Sequence, residues 1–122
     1  MKKIRRLKQS FFDAARGIRY VFRNEQNFRI QVLISVLVVI GMIVFPLRVW
    51  EEILLVMLMT MVLTMELLNT ALEHFADLVK PRVHEYVSLI KDMMAGAVLI
   101  TSLCAGVVGA IIFLPHFLKF FE

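Results

Sequence analysis

Three stretches of this chain run for about the width of a bilayer with almost no charge. Ile30 to Leu47 and Met93 to Leu118 carry none, and Ile53 to Leu72 carries only Glu66. A helix needs about 20 predominantly apolar residues to cross hydrocarbon, so each stretch predicts a spanning helix. Composition agrees, since 60% of the 122 residues are hydrophobic, against about 45–50% in soluble domains. The expected fold is an all-α membrane protein, one domain over residues 1–122, with spanning segments inside helices at 29–47, 52–79 and 92–118.

Ahead of the first span, Ile4, Leu7, Phe11, Ala14, Ala15, Ile18, Val21 and Phe22 recur at spacings of three and four, with lysines and arginines between them. That pattern predicts an amphipathic helix over residues 1–28 lying in the membrane interface. Lys2, Lys3, Arg5, Arg6, Lys8, Arg16, Arg19, Arg23 and Arg29 precede or open the first span, against only Asp13 and Glu25. The Lys/Arg bias places the N-terminus in the cytoplasm, so the 47–52 connection falls outside, the segment around Pro81 inside and the C-terminus outside. The first apolar run begins too late, is too long and lacks the small-residue site of a cleavable signal. Trp50 fits an aromatic anchor at the outer interface, and His116 an interfacial residue. Pro81 marks the expected end of the second spanning helix. The single Cys104 excludes an intrachain disulfide and a CxxC metal site, and reads as packing. Ala105 with Gly109, and Gly106 with Ala110, are small-xxx-small pairs of the kind that lets helices approach closely, within the chain or between copies.

A polar stripe interrupts the second span. At ~100° per residue, Glu66, Asn69, Glu73 and Asp77 fall within an arc of roughly 80°. A carboxylate at bilayer depth costs about 3 kcal/mol on insertion scales, so such a stripe reads as a functional site. Glu25, in the polar cluster Arg23 to Arg29, and Lys91 with Asp92, just before the third span, add to it. For Glu25 alone, a solvated or salt-bridged surface glutamate is the plainer alternative. Together these residues offer oxygen ligands for a hard cation and an ammonium for phosphate. Mg²⁺ is usually held by one or two carboxylates together with substrate phosphates, and a remaining carboxylate can take a proton from a hydroxyl. Phosphoryl transfer to a membrane-embedded alcohol is therefore one reading. A proton or cation pathway is a second, and a helix-assembly module whose polar stripe satisfies itself is a third. No G-x-x-x-x-G-K-[ST] occurs, so a nucleotide site here would be built from side chains on helices. No His/Cys pattern points to zinc.

The residues resemble a known family. Arg16-Gly17-Ile18-Arg19, Asn24-Glu25-x-x-Phe28-Arg29, Glu66-Leu-Leu-Asn69-Thr70-Ala71-Leu-Glu73 and Lys91-Asp92-Met-x-Ala-Gly-Ala-Val are similar to the motifs of the small prokaryotic integral-membrane lipid kinases, the diacylglycerol kinase and undecaprenol kinase family. The resemblance covers nearly the whole chain. It implies a homotrimeric helical bundle of three transmembrane helices and an amphipathic surface helix per subunit, with active sites between subunits near the cytoplasmic face. By matching position it implies Glu66 as general base toward the lipid hydroxyl and Asn69 as its polar support. Glu25 and Glu73 become the carboxylates that hold Mg²⁺ with the phosphates of ATP. Lys91, Asp92, His84 and Gly17 fall in the nucleotide site, and Arg5 or Arg6 with Ala14 in the N-terminal nucleotide and lipid region. Arg82 and Val83 depart from the enterobacterial pattern. Seven residues separate Glu66 from Glu73, about 10 Å of helical rise, which sets Glu66 deeper toward lipid and Glu73 nearer the aqueous nucleotide.

Within that family, Asn69-Thr-Ala-Leu-Glu73-His74, the Trp50-Glu51 pair and the Ile-Ile-Phe-Leu-Pro115 ending look like the Gram-positive branch, whose members favour undecaprenol. The enterobacterial branch prefers diacylglycerol and has a serine where Ala95 stands. The expectation is thus an ATP-dependent undecaprenol kinase in the bacterial cytoplasmic membrane, with diacylglycerol as the alternative acceptor and no nucleic-acid partner.

Overall fold

Four α-helices make up the computed structural model, which describes residues 1–79 and 84–122, the side chain of His84 excepted. They are α1 Lys2–Asn24, α2 Gln26–Val44, α3 Val49–Val79 and α4 His84–Phe120, and no strand occurs among the described residues. α2, α3 and α4 are each long and apolar enough to cross a membrane. The Pro81 stop falls outside the described residues.

The helix expected over 1–28 breaks at Glu25, whose backbone is extended (φ −115, ψ 113). The break is stitched from both sides. Asn24 Nδ2 donates to the carbonyl of Tyr20 at 2.8 Å. The Arg29 guanidinium reaches back from α2 to the last carbonyls of α1, Phe22 O at 3.0 Å and Arg23 O at 2.8 Å. Those carbonyls are orphans at any helix end, and a cation there also complements the helix dipole. At the other end of α2, Phe45 is extended (ψ 147), as the residue before a proline must be. α3 then starts at Val49, earlier than the expected 52, because Glu51 Oε1 accepts the backbone N–H of Arg48 at 2.9 Å. This is half of a capping box, in a first turn where Glu51 and Glu52 also suit the dipole. α4 starts at His84 rather than 92. Its first three turns carry Glu85, Lys91 and Asp92, and charge there limits the span but not the helix.

α3 packs most extensively against α4 and next against α2, while α1 lies on α2 and α3. The buried apolar core is thin: Val21, Phe28, Leu55, Leu58, Ala76, Val87 and Ile112. Large apolar side chains such as Leu37, Ile40, Leu103, Val107 and Ile111 stay exposed along the spans. Such a surface would drive association in water, but lipid tails are as apolar as leucine and cover it without penalty.

One glycine makes a close approach. A Cβ on Gly41 of α2 would lie 2.8 Å from the Phe113 ring of α4, whereas at Gly106 or Gly109 it would meet nothing within 4 Å. The small-xxx-small pairs therefore do not press against another helix of the same chain. Cys104 is exposed on the apolar exterior and not packed inside. His116 sits among the rings of the end opposite Glu25, 6.2 Å from Phe45 between centroids, and Trp50 is exposed at that same end.

Candidate active site

Three polar side chains of α3 are buried, Glu51 in its first turn and, more deeply, Glu66 and Thr70. Glu66 is 2% exposed and Thr70, one turn on, 1%. Across from them, in the second turn of α2, Gln31 donates from Nε2 to Glu66 Oε2 at 3.4 Å, a long hydrogen bond. Asn69 donates from Nδ2 to Glu73 Oε1, also at 3.4 Å. Three buried oxygens have no hydrogen-bond partner among the described residues: Gln31 Oε1, Asn69 Oδ1 and Thr70 Oγ1. Buried acceptors are normally satisfied, so each of the three remains open to a donor.

Other carboxylates lie on the same side of the bundle as Glu66. Glu73 and Glu25, both half-buried, lie close enough to Glu66 for their charges to act on it. Glu25 reaches the site because it is the extended residue between α1 and α2, and it has no ion pair among the described residues. Lys91 of α4 donates from Nζ to Asp77 Oδ1 at 2.7 Å and also feels the charge of Glu73. Tyr20 of α1 meets His74 of α3 edge-on, with 5.8 Å between centroids, which seats α1 beside the site.

Of the residues expected from sequence, Glu25, Glu66, Asn69, Glu73, Asp77 and Lys91 come together at one end of the bundle. Asp92 does not join them by any bond: it is exposed and forms no ion pair among the described residues. Gly17 is exposed on α1, with nothing within 4 Å of where a Cβ would stand. Arg5, Arg6 and Ala14 are likewise exposed on α1. The side chain of His84, with Arg82 and Val83, lies outside the described residues. Among those described, no three His, Cys, Asp or Glu side chains form a ready-made metal cage. A pair of carboxylates completed by phosphate oxygens is what Mg²⁺ ordinarily accepts, and Glu25 with Glu73 can supply such a pair.

A cleft of about 460 Å³ runs along the bundle between α2, α3 and α4. Gln31 and Ser35 line one end, followed by Val62 and Leu58 from α3 and by Ala105 and Gly109 from α4. The small residues of α4 hold this space open. Gln31 thus touches both the apolar cleft and the buried carboxylate, a position that the sequence reading passed over. Its signal was present in the spacing: Gln31 and Ser35 are polar residues at i, i+4 in an otherwise apolar run, which puts them on one face.

The family model described as prokaryotic diacylglycerol kinase matches residues 13–113. The chain is 34% identical over 112 residues to the undecaprenol kinase of Bacillus subtilis (strain 168), a match covering 92% of this chain and 91% of that protein. It is 37% identical over 111 residues to the diacylglycerol kinase of a Synechocystis species, covering 90% of this chain and 63% of that longer protein. To the diacylglycerol kinase of Escherichia coli (strain K12) it is 29% identical over 102 residues, 84% of each chain.

Proposed function

The chain belongs to the prokaryotic diacylglycerol kinase family, lipid kinases that draw on a nucleotide phosphoryl donor, and from that premise we propose that it phosphorylates undecaprenol with ATP at the cytoplasmic face of the membrane. The observation that carries this reading is a carboxylate, Glu66, 2% exposed in a spanning helix and bonded to a residue that lines an apolar cleft. A lipid alcohol is the substrate class that needs both, a base at membrane depth and an apolar channel for the chain behind its hydroxyl.

In this reading Glu66 takes the proton of the lipid hydroxyl as its oxygen forms a bond to the γ-phosphorus. The bond from that phosphorus to the β,γ-bridging oxygen breaks, and ADP leaves with the electron pair. Catalysis of such a transfer is largely positioning and charge neutralisation. Glu25 and Glu73 would hold Mg²⁺, which would offset the charge of the phosphates, and Lys91, Asp92, Gly17 and His84 would border the nucleotide. Asn69, expected beside the base, bonds Glu73 at 3.4 Å instead, and its support goes to that carboxylate. The motifs shared with the family support assembly as a homotrimer, and the basic α1 supports a cytoplasmic N-terminus.

The choice of acceptor rests on the motifs of the Gram-positive branch and on the match to the Bacillus subtilis protein. Diacylglycerol is the second reading, favoured by the 37% identity to a relative of that name. The deciding experiment is phosphorylation by purified protein in mixed micelles with ATP and Mg²⁺, with undecaprenol and diacylglycerol compared at equal mole fraction. Preference for undecaprenol is expected. Preference for diacylglycerol keeps the chemistry and overturns the acceptor, and ATP-independent proton flux in vesicles would instead favour a pathway.

A further inference from the structure

The end of the bundle opposite Glu66 carries a second cleft, of about 440 Å³, between the start of α3 and the last turns of α4. Glu51 in its lining stands 15 residues before Glu66 on α3, about 22 Å of helical rise, so the cleft lies apart from the chemistry above. We propose that it binds the headgroup of an anionic phosphodiester lipid, with Arg48 and Lys119 on the phosphate and with Glu51 and His116 accepting from headgroup hydroxyls.

Arg48 and Lys119 both line the cleft, and neither forms an ion pair among the described residues. Against them the lining sets one carboxylate among those residues, Glu51, which is 8% exposed and accepts the Arg48 N–H on Oε1 at 2.9 Å. Two cations and one carboxylate leave a single positive charge, which a phosphodiester neutralises. The forked N–H groups of an arginine suit phosphate oxygens well. His116 Nδ1 donates to the carbonyl of Ile112 at 3.0 Å, so Nε2 is the acceptor of the neutral ring. A headgroup with hydroxyls can donate there and to Oε2 of Glu51. A choline headgroup instead adds a cation where cations already exceed carboxylates, and it brings no hydroxyl. Pro46 and Ile111 give the cleft an apolar side for the glycerol backbone. Depth fits as well. α2 ends at Val44 and α3 begins at Val49, so the cleft lies just past the apolar length of the spans. Trp50, exposed at the same end, suits headgroup level. A phosphate anchored there by its acyl tails meets the cleft far more often than a free one.

The test uses the full chain in dodecyl maltoside and follows retained lipid by native mass spectrometry, titrating phosphatidylglycerol and phosphatidylcholine of matched tails. Phosphatidylglycerol should bind more tightly. Arg48→Gln together with Lys119→Gln should weaken its binding about 10- to 100-fold, as loss of charge-assisted hydrogen bonds does, and remove its advantage over phosphatidylcholine. Arg48→Lys should keep part of that advantage. Glu51→Gln retains an acceptor for the Arg48 N–H and removes the opposing charge, so it should bind phosphatidylglycerol more tightly than the parent. Equal binding of the two lipids by the parent overturns the proposal. So does a phosphatidylglycerol preference that survives the double variant, which would place the lipid on the basic α1. Inorganic phosphate that raises the melting temperature as much as the lipid, and only while Arg48 and Lys119 are present, would make the ligand a soluble anion and overturn the lipid assignment. Both cations are exposed, so the double variant should melt with the parent when no lipid is added; if it does not, the direction of the Glu51→Gln effect decides.

Discussion

Tyr20 and His74 meet edge-on with 5.8 Å between ring centroids, and this contact joins the amphipathic helix to the turn of α3 just past Glu73. α1 ends four residues after Tyr20, at Asn24, and Glu25 follows it, so the same contact bears on both carboxylates proposed to hold the metal.

A double-mutant cycle of Tyr20→Leu and His74→Leu should therefore show coupling of about 0.5–1 kcal/mol in thermal unfolding, the range of aromatic pairs. Both single variants should also raise the Mg²⁺ concentration needed for half-maximal rate. Additive stability effects with an unshifted Mg²⁺ response would remove α1 from this role.

Glu66→Ala should lower kcat by about 10²- to 10⁴-fold, the usual contribution of a positioned general base. Helical content by circular dichroism and the oligomer seen on size exclusion should stay as in the parent protein. Activity within a few fold of the parent would take the base assignment away from Glu66.

Glu25→Gln and Glu73→Gln each keep an oxygen acceptor and lose a charge. The Mg²⁺ titration of activity should move to higher concentration in both, with saturating Mg²⁺ restoring part of the rate. An unchanged titration in both variants contradicts the metal assignment.

Lys91 is tied to Asp77 at 2.7 Å, but Asp77 is well exposed and water screens the pair. Lys91→Met should consequently leave the melting temperature nearly unchanged and raise KM for ATP. Asp77→Asn, which frees the ammonium without removing it, should raise KM less. Equal KM values in the two variants would mean that the ion pair, and not a phosphate contact, is what matters.

Gly41→Val should destabilise the chain by about 1–3 kcal/mol, the usual range for overpacking, since its Cβ would stand 2.8 Å from the Phe113 ring. Adding Phe113→Leu should recover much of the loss in a melting experiment. A neutral Gly41→Val would show that the ring swings aside freely.

The spans were legible because absence of charge over a bilayer width has few other meanings, and the stripe from Glu66 to Asp77 because a carboxylate in such a span demands a reason. What stayed hidden depends on contacts across the fold. Amphipathic spacing continues past Asn24, so nothing local announces the break at Glu25; it is made by the guanidinium of Arg29 reaching two carbonyls of the preceding helix. Glu85, Lys91 and Asp92 resemble a solvated loop and point to a start at 92, whereas a helix can extend into water beyond its apolar part and α4 begins at His84. One glutamine in a spanning run is tolerable by itself, so nothing local sets Gln31 apart. Only its place opposite Glu66 gives it meaning.

The thin core has a consequence for how this sequence can change. Side chains such as Leu37, Ile40 and Val107 are immersed in a fluid rather than fitted into one another, so one aliphatic residue should replace another there with little selective penalty. Relatives can then diverge across most of the lipid-facing surface while the few groups around Glu66 stay fixed. A saturation-mutagenesis map of the chain should look accordingly: broad tolerance to any apolar letter over the exterior, interrupted by a small, intolerant island where α2, α3 and α4 meet at the level of Gln31.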